Sequence, residues 1–281
     1  MNWGEVVDRA GKLIREYNGE GIKPTLRQVH YRLASEQAGG YQNTQACYKG
    51  LSGKLVKARM KGLISWDSLA DHVRYRWWNR PSGRQVPDVE GIVEQATADL
   101  GEDPWKAMGK RVVLWLEKDA LAELVYDVVG GYYVPLAVSR GYSSWTFIHD
   151  NLDVLQDEIE VEALYLGDHD PSGLDIERFT EEAMSYFGIE LELERVALNY
   201  GQVQQYNLLP NPTKKADPRA KEYVASYGDE CWELDALEPK KLQHIVKEAV
   251  ESRINPAVWN KVIARNEKLK KKIAEELKRK F

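Results

Sequence analysis

Between residues 111 and 199 short apolar runs alternate with helix-length segments, and no other feature restricts the fold as much. "RVVLWLE" (111–117), "YYVPLAV" (132–138), "VEALYLG" (161–167) and "LELERVALN" (191–199) have the length and the branched or aromatic content of strands. The intervening "KDALAELVYDVV" (118–129), "SSWTFIHDNLDVLQ" (143–156) and "PSGLDIERFTEEAMSYFG" (171–188) read as helices. A βαβαβαβ order asks for a parallel sheet with helices on its faces, because parallel strands need a long crossover. Sheets of this kind bind ligands at the carboxyl ends of their strands. The polar residues fall there: Glu117 ends the first strand, Arg140 follows the second, and Asp168 and Asp170 end the third.

In extended backbone residues i and i+2 point the same way, so Asp168 and Asp170 converge. Glu117, from another parallel strand, completes a patch of three carboxylates. Such groups repel, and one takes a proton unless a cation neutralises them. All-oxygen ligation by few protein donors favours Mg²⁺, with Mn²⁺ as a substitute. Gly167 and Gly173 leave room for close approach. Asp170-Pro171-Ser172 also reads as a helix start, with Asp170 as cap and Pro171 at the first position.

The chain has 281 residues and a net charge of −5, unevenly spread. Residues 1–80 hold 14 Lys/Arg against 7 Asp/Glu, and residues 261–281 hold 9 against 3. The middle is therefore strongly acidic. Basic ends and an acidic centre suit a polyanion at the ends and a metal in the middle. The front of the chain reads as three helices: "GEVVDRAGKLIREY", with Val6, Val7, Ala10, Leu13 and Ile14 on one side, "PTLRQVHYRLASE", and "NTQACYKGLSGKLVKARMKG". "LISWDSL" then reads as a short strand turning back, which completes a helix-turn-helix or winged-helix pattern. The third helix carries Lys49, Lys54, Lys57, Arg59 and Lys61, while Leu51, Leu55 and Val56 are expected to face the core. Lys54, Lys57 and Lys61 share a face, as contacts to DNA phosphates require.

Residues 76–105 read as a connector, and "VRYRWWNR" just before Pro81 interleaves Arg with aromatics. The expected order is a winged-helix unit over 1–75, the connector over 76–105, the α/β unit over 106–235 and a helical basic segment over 236–281. Cys47 and Cys231 are the only cysteines, which fits a reducing, cytoplasmic setting. No apolar run approaches the roughly 20 residues of a membrane span, so no membrane association is expected.

Glu-Lys at the end of one strand, in "WLEKDAL", and Asp-x-Asp-Pro-x-Gly two strands later, in "LGDHDPSGLDI", resemble the Toprim domain of the topoisomerase VI A subunit and its meiotic double-strand-break relatives. The resemblance covers roughly residues 20–200. That family carries a winged helix before the Toprim domain, with a nucleophilic tyrosine after an Arg, acid, aliphatic, aromatic motif. "LRQVHYRL" keeps Arg27, Val29 and Tyr31 but has Gln28 and His30 at the acid and aromatic positions. The resemblance implies double-stranded DNA as substrate, a homodimer in which each tyrosine faces the partner's acids, and a Mg²⁺ site at Glu117, Asp168 and Asp170. It also implies catalytic roles for Tyr31, Arg27, Glu117 and Lys118, DNA contacts that include Arg140, and a separate ATPase subunit for strand passage. The layout is similar to the reduced A-subunit proteins of viruses and other mobile elements. Two rival readings are a Toprim endonuclease that activates water, with Tyr31 structural, and a non-catalytic DNA-binding regulator.

Overall fold

The computed structural model describes residues 1–70, 97, 100–139, 141–143, 148, 155 and 159–280. Arg140, the Arg-aromatic stretch at 73–80 and most of the expected helix over 143–156 lie outside the described residues.

The alternating segments form a parallel sheet. Strands β1 (Lys110–Leu116), β2 (Leu136–Val138), β3 (Glu160–Leu166) and β4 (Leu193–Ala197) lie in the order β2-β1-β3-β4. β1 is central, pairing with β3 in register from Lys110↔Glu160 to Leu116↔Leu166. Period-two alternation splits its side chains between two cores. Val112, Leu114 and Leu116 pack against α5 (Ala122–Val129) and α9 (Pro239–Glu251), while Val113 and Trp115 share the other core with Ile176, Ala183 and Met184 of α6 (Pro171–Tyr186). Leu242, Val246 and Val250 of α9 are fully buried in the first of these cores. The segment after residue 236 is therefore helical, as expected, but its first helix is part of the sheet's packing and no appendage.

Between β4 and α9 lie the short helices α7 (Tyr200–Gln205) and α8 (Ala220–Tyr227), and the last helix, α10 (Pro256–Lys280), is tied to the short α4 (Pro104–Ala107). Trp259 meets Trp105 edge to face at 5.4 Å, and the Asn266 side chain bonds both backbone groups of Glu102 at 2.9 Å. No described helix is long and apolar enough to cross a membrane.

The chain opens with three helices, α1 (Trp3–Gly19), α2 (Leu26–Ser35) and α3 (Gln45–Met60). Asn2, Thr25 and Thr44 cap them through their side-chain oxygens. Val6, Ala10, Leu13, Ile14, Val29, Leu33, Leu51 and Leu55 form their shared core. Gly50 is where Trp3 crosses α3; a Cβ there would meet the indole at 2.6 Å. Two expectations fail. Val56 is exposed, because the buried face of α3 runs through Cys47, Leu51, Leu55 and Ala58. The "LISWDSL" segment makes a 3-10 turn at Trp66–Ser68 and a single parallel bridge, Thr25↔Ala70, in place of a strand. Its serines bond their own backbone, with Ser65 Oγ accepting from Asp67 N at 3.3 Å and Ser68 Oγ donating to Ser65 O at 2.7 Å, which competes with a ladder.

Candidate active site

The carboxyl ends of β1 and β3 lie side by side, so Glu117 and Asp168 adjoin through their register. Glu117 Oε2 accepts the Asp168 N–H at 2.9 Å. Asp170 is the N-cap of α6, its Oδ1 accepting from Gly173 N at 2.6 Å, with Pro171 in the first turn. The structural reading of Asp-Pro-Ser therefore holds. Gly173 is obligatory here, since a Cβ would stand 2.2 Å from the Asp168 carbonyl oxygen. Arg195 of β4 closes the loop from inside, donating to the carbonyls of Gly167, Asp168, Gly173 and Leu198 at 3.1–3.3 Å.

Asp168 and Lys118 belong to a buried charged network. Lys118 Nζ lies 3.0 Å from Asp168 Oδ1, 3.2 Å from Glu233 Oε2 and 2.8 Å from Asp235 Oδ2. Asp168 Oδ1 also accepts the Leu234 N–H at 2.8 Å. Burial pushes the Asp168 and Glu117 carboxyls upward. Lys118 opposes this in both; Glu117's charge adds to it at Asp168 and Asp170's charge at Glu117. Burial lowers the Lys118 ammonium's affinity for its proton, but Asp235, Asp168 and Glu233 outweigh it and hold that affinity well above the ordinary value.

Residues 229–236 act as a strap between this network and α2. Trp232 pairs with His169 through two backbone hydrogen bonds of 2.8 and 2.9 Å. On the other side, the Arg27 guanidinium of α2 donates to Glu233, and Thr25 Oγ1 to Asp235 Oδ1 at 3.3 Å. The neighbouring strand pair β5 (Asn211–Pro212) and β6 (Glu230–Cys231) brings Asn211, whose Nδ2 donates to the Tyr31 oxygen at 2.6 Å. Arg27, Tyr31, Asp170 and Glu233 all line one cleft of about 760 Å³. Tyr31 and one of the three expected acids, Asp170, thus face one cleft within a single chain, while Glu117 and Asp168 do not line it.

Tyr31 is only 5% exposed. Burial, reinforced by Glu233, pushes its phenol above the ordinary value, against the lowering pull of Asn211, Arg27 and Lys118. His30 is not free to act on it: Nδ1 is 2.8 Å from Tyr41 Oη and Nε2 is 3.0 Å from Asn43 Oδ1, and burial lowers its pKa. Gln28 closes a capping box with Thr25, its Oε1 accepting from Thr25 N at 2.8 Å, a role that a glutamate would fill equally.

The basic residues of α3 divide. Lys49, Lys54, Lys57 and Lys61 are exposed, whereas Arg59 is half-buried. Sequence reading missed Glu233, Asp235, Asn211 and Arg195; the acidic run "DECWELDALEP" was the signal for the first two.

Glu117 and Asp168 are oxygen donors of the kind a hard divalent cation takes, raised first by burial and then by neighbouring negative charge, but Lys118 already lies 3.0 Å from Asp168 Oδ1 and Asp170 Oδ1 caps α6. Among the described residues, no three His, Cys, Asp or Glu side chains are gathered about one point as metal ligands. No family model matches this chain, and no curated protein matches it.

Proposed function

We propose that this chain cleaves DNA in the manner of a topoisomerase VI A subunit, with a winged-helix-like front, a Toprim-like sheet and Tyr31 as nucleophile. One observation carries the reading: Tyr31 and Arg27 of α2 share a cleft with Asp170, at the strand ends that also present Glu117, Asp168 and Lys118. Arg27 and Tyr31 lie four residues apart on one helix face, so a phosphate bound to the guanidinium is within the tyrosine's neighbourhood. Asn211 donates to the Tyr31 oxygen, which favours the phenolate that attack on phosphorus requires. Attack forms a 5′-phosphotyrosyl bond and releases a 3′-hydroxyl. Mg²⁺ held by Glu117, Asp168 and Asp170 would stabilise charge on the phosphate. Lys49, Lys54, Lys57 and Lys61 track the duplex backbone.

A second reading is favoured by the burial of Tyr31 and its raised phenol. There the chain is an endonuclease that uses activated water, and Tyr31 is a wall of the cleft. Supercoiled plasmid incubated with protein and Mg²⁺, then quenched with detergent with and without protease, tests both. Protein-linked nicked or linear DNA supports the tyrosine. Free cut ends support water. Uncut plasmid with Mg²⁺ and with Mn²⁺ removes both.

A further inference from the structure

Glu233 joins two cations at the wall of the cleft. Its carboxylate receives Arg27 from α2 and Lys118 from the end of β1, two cations that come together only around it. The side chain is 23% exposed, on the wall of the 760 Å³ cleft. Neither cation depends on Glu233 alone for its place. Lys118 is also held by Asp168 at 3.0 Å and Asp235 at 2.8 Å, and the Arg27 guanidinium lies 5.2 Å from the Tyr48 ring centroid. Withdrawing Glu233 would uncover Arg27 on the cleft wall and Lys118 next to the vacated place, with exposed Lys214 also lining the cleft.

We infer that Arg27 and Lys118 form an anion site that Glu233 fills in the free protein, and that its external ligand is a nucleic-acid phosphodiester that enters by displacing Glu233. A phosphodiester carries one negative charge, as a carboxylate does, so the exchange leaves the site's net charge unchanged. Planar guanidinium paired with a compact ammonium suits tetrahedral phosphate oxygens. The cleft falls within the ~300–1,000 Å³ of sites for larger ligands, so it has room for sugar and base beside the phosphate. Tethering gives Glu233 a high effective concentration, on the order of millimolar. Isolated phosphate therefore competes poorly, while a strand with several contacts displaces it. The ligand's identity rests on the DNA reading above; the masking of the site by Glu233 does not.

The test is equilibrium binding of a short fluorescent duplex to the full chain in EDTA, which separates binding from cleavage. Glu233→Gln should bind about tenfold more tightly than wild type, and inorganic phosphate should compete at lower concentration in the variant. Adding Arg27→Gln should abolish the gain. Glu230→Gln, on the same strap, makes the same change in net charge without touching either cation and should gain little. The inference fails if folded Glu233→Gln gains nothing, if Glu230→Gln gains as much, or if the gain survives loss of Arg27. A polyglutamate ligand that gains equally would overturn the phosphodiester assignment. Should Glu233→Gln not fold, Glu233→Asp keeps the charge but is one methylene short of both cations; it should show part of the gain, and none would sink the idea. Tight binding without any cutting would defeat the cleavage reading and leave this site standing.

Discussion

The carbonyl oxygen of Asp168 lies where a side chain on residue 173 would begin, 2.2 Å from the position of a Cβ on Gly173. Because the obstructing atom is backbone, it cannot swing aside. Gly173→Ala should push the first turn of α6 away from β3 and cost about 2 kcal/mol, as overpacking does. Urea denaturation reads this directly. An unshifted midpoint would contradict the close approach.

Tyr31→Phe separates the two chemical readings. It keeps the ring and most of the packing but leaves Asn211 without its acceptor. The variant should fold and bind DNA, yet form no covalent adduct and make no cut. Full cleavage by this variant would transfer the chemistry to water.

Neutral acids test the metal. Mg²⁺ at 100 times its dissociation constant should stabilise the chain by about 2.7 kcal/mol. Asp168→Asn combined with Asp170→Asn should abolish both the melting shift and cleavage. If the shift persists, the cation binds elsewhere.

Lys54 and Lys57 of α3 and Lys61 at its C-cap are exposed. Replacing all three with Ala should flatten the log–log salt dependence of DNA binding by about 2 to 3, near 0.9 per lost phosphate contact. Binding should weaken on all sequences alike. An unchanged slope would make the helix an ordinary solvated face.

The Glu36–Arg9 contact predicts a defined acid sensitivity. Arg9 donates to both carboxylate oxygens, at 2.8 and 2.9 Å, and Arg32 adds a contact at 3.0 Å. The Arg9 hydrogen bond is the main cause holding Glu36 below its ordinary 4.5. A depressed folded value means the stabilisation is complete above the unfolded-state value. It is lost as pH falls through the folded one. Glu36→Gln should cost about 1 kcal/mol at neutral pH, and the difference from wild type should vanish in strong acid. A constant difference across pH would rule out the carboxylate as its source.

The sheet was legible in the sequence because its strands obey local rules. β1 is apolar on both faces, as a central parallel strand must be, and Asp-Pro at the end of β3 marks the start of α6. The placement of Glu117 beside Asp168 depends on β1 and β3 being neighbours in the sheet, which the sequence reading assumed without deriving a strand order. What stayed hidden depends on contacts distant in sequence. Lys118 and Glu233 are 115 residues apart, and no periodicity links them. Val56 was misassigned because α3 has only a weak apolar stripe, and its buried face runs through Cys47, Leu51, Leu55 and Ala58. The short turn after α3 was missed because serine-to-backbone bonds are invisible to hydropathy.

The strap at 229–236 also bears on how the chain is made. Ribosomal synthesis delivers α2, β1 and β3 long before Glu233 and Asp235 emerge, so a nascent chain holds Lys118 with Asp168 as its one carboxylate partner among the three. A burial-prone ammonium with so little compensation resists closing into the interior. The Arg27–Glu233 and Thr25–Asp235 contacts that tie the front helices to the sheet therefore form only after residues 229–236 have been made.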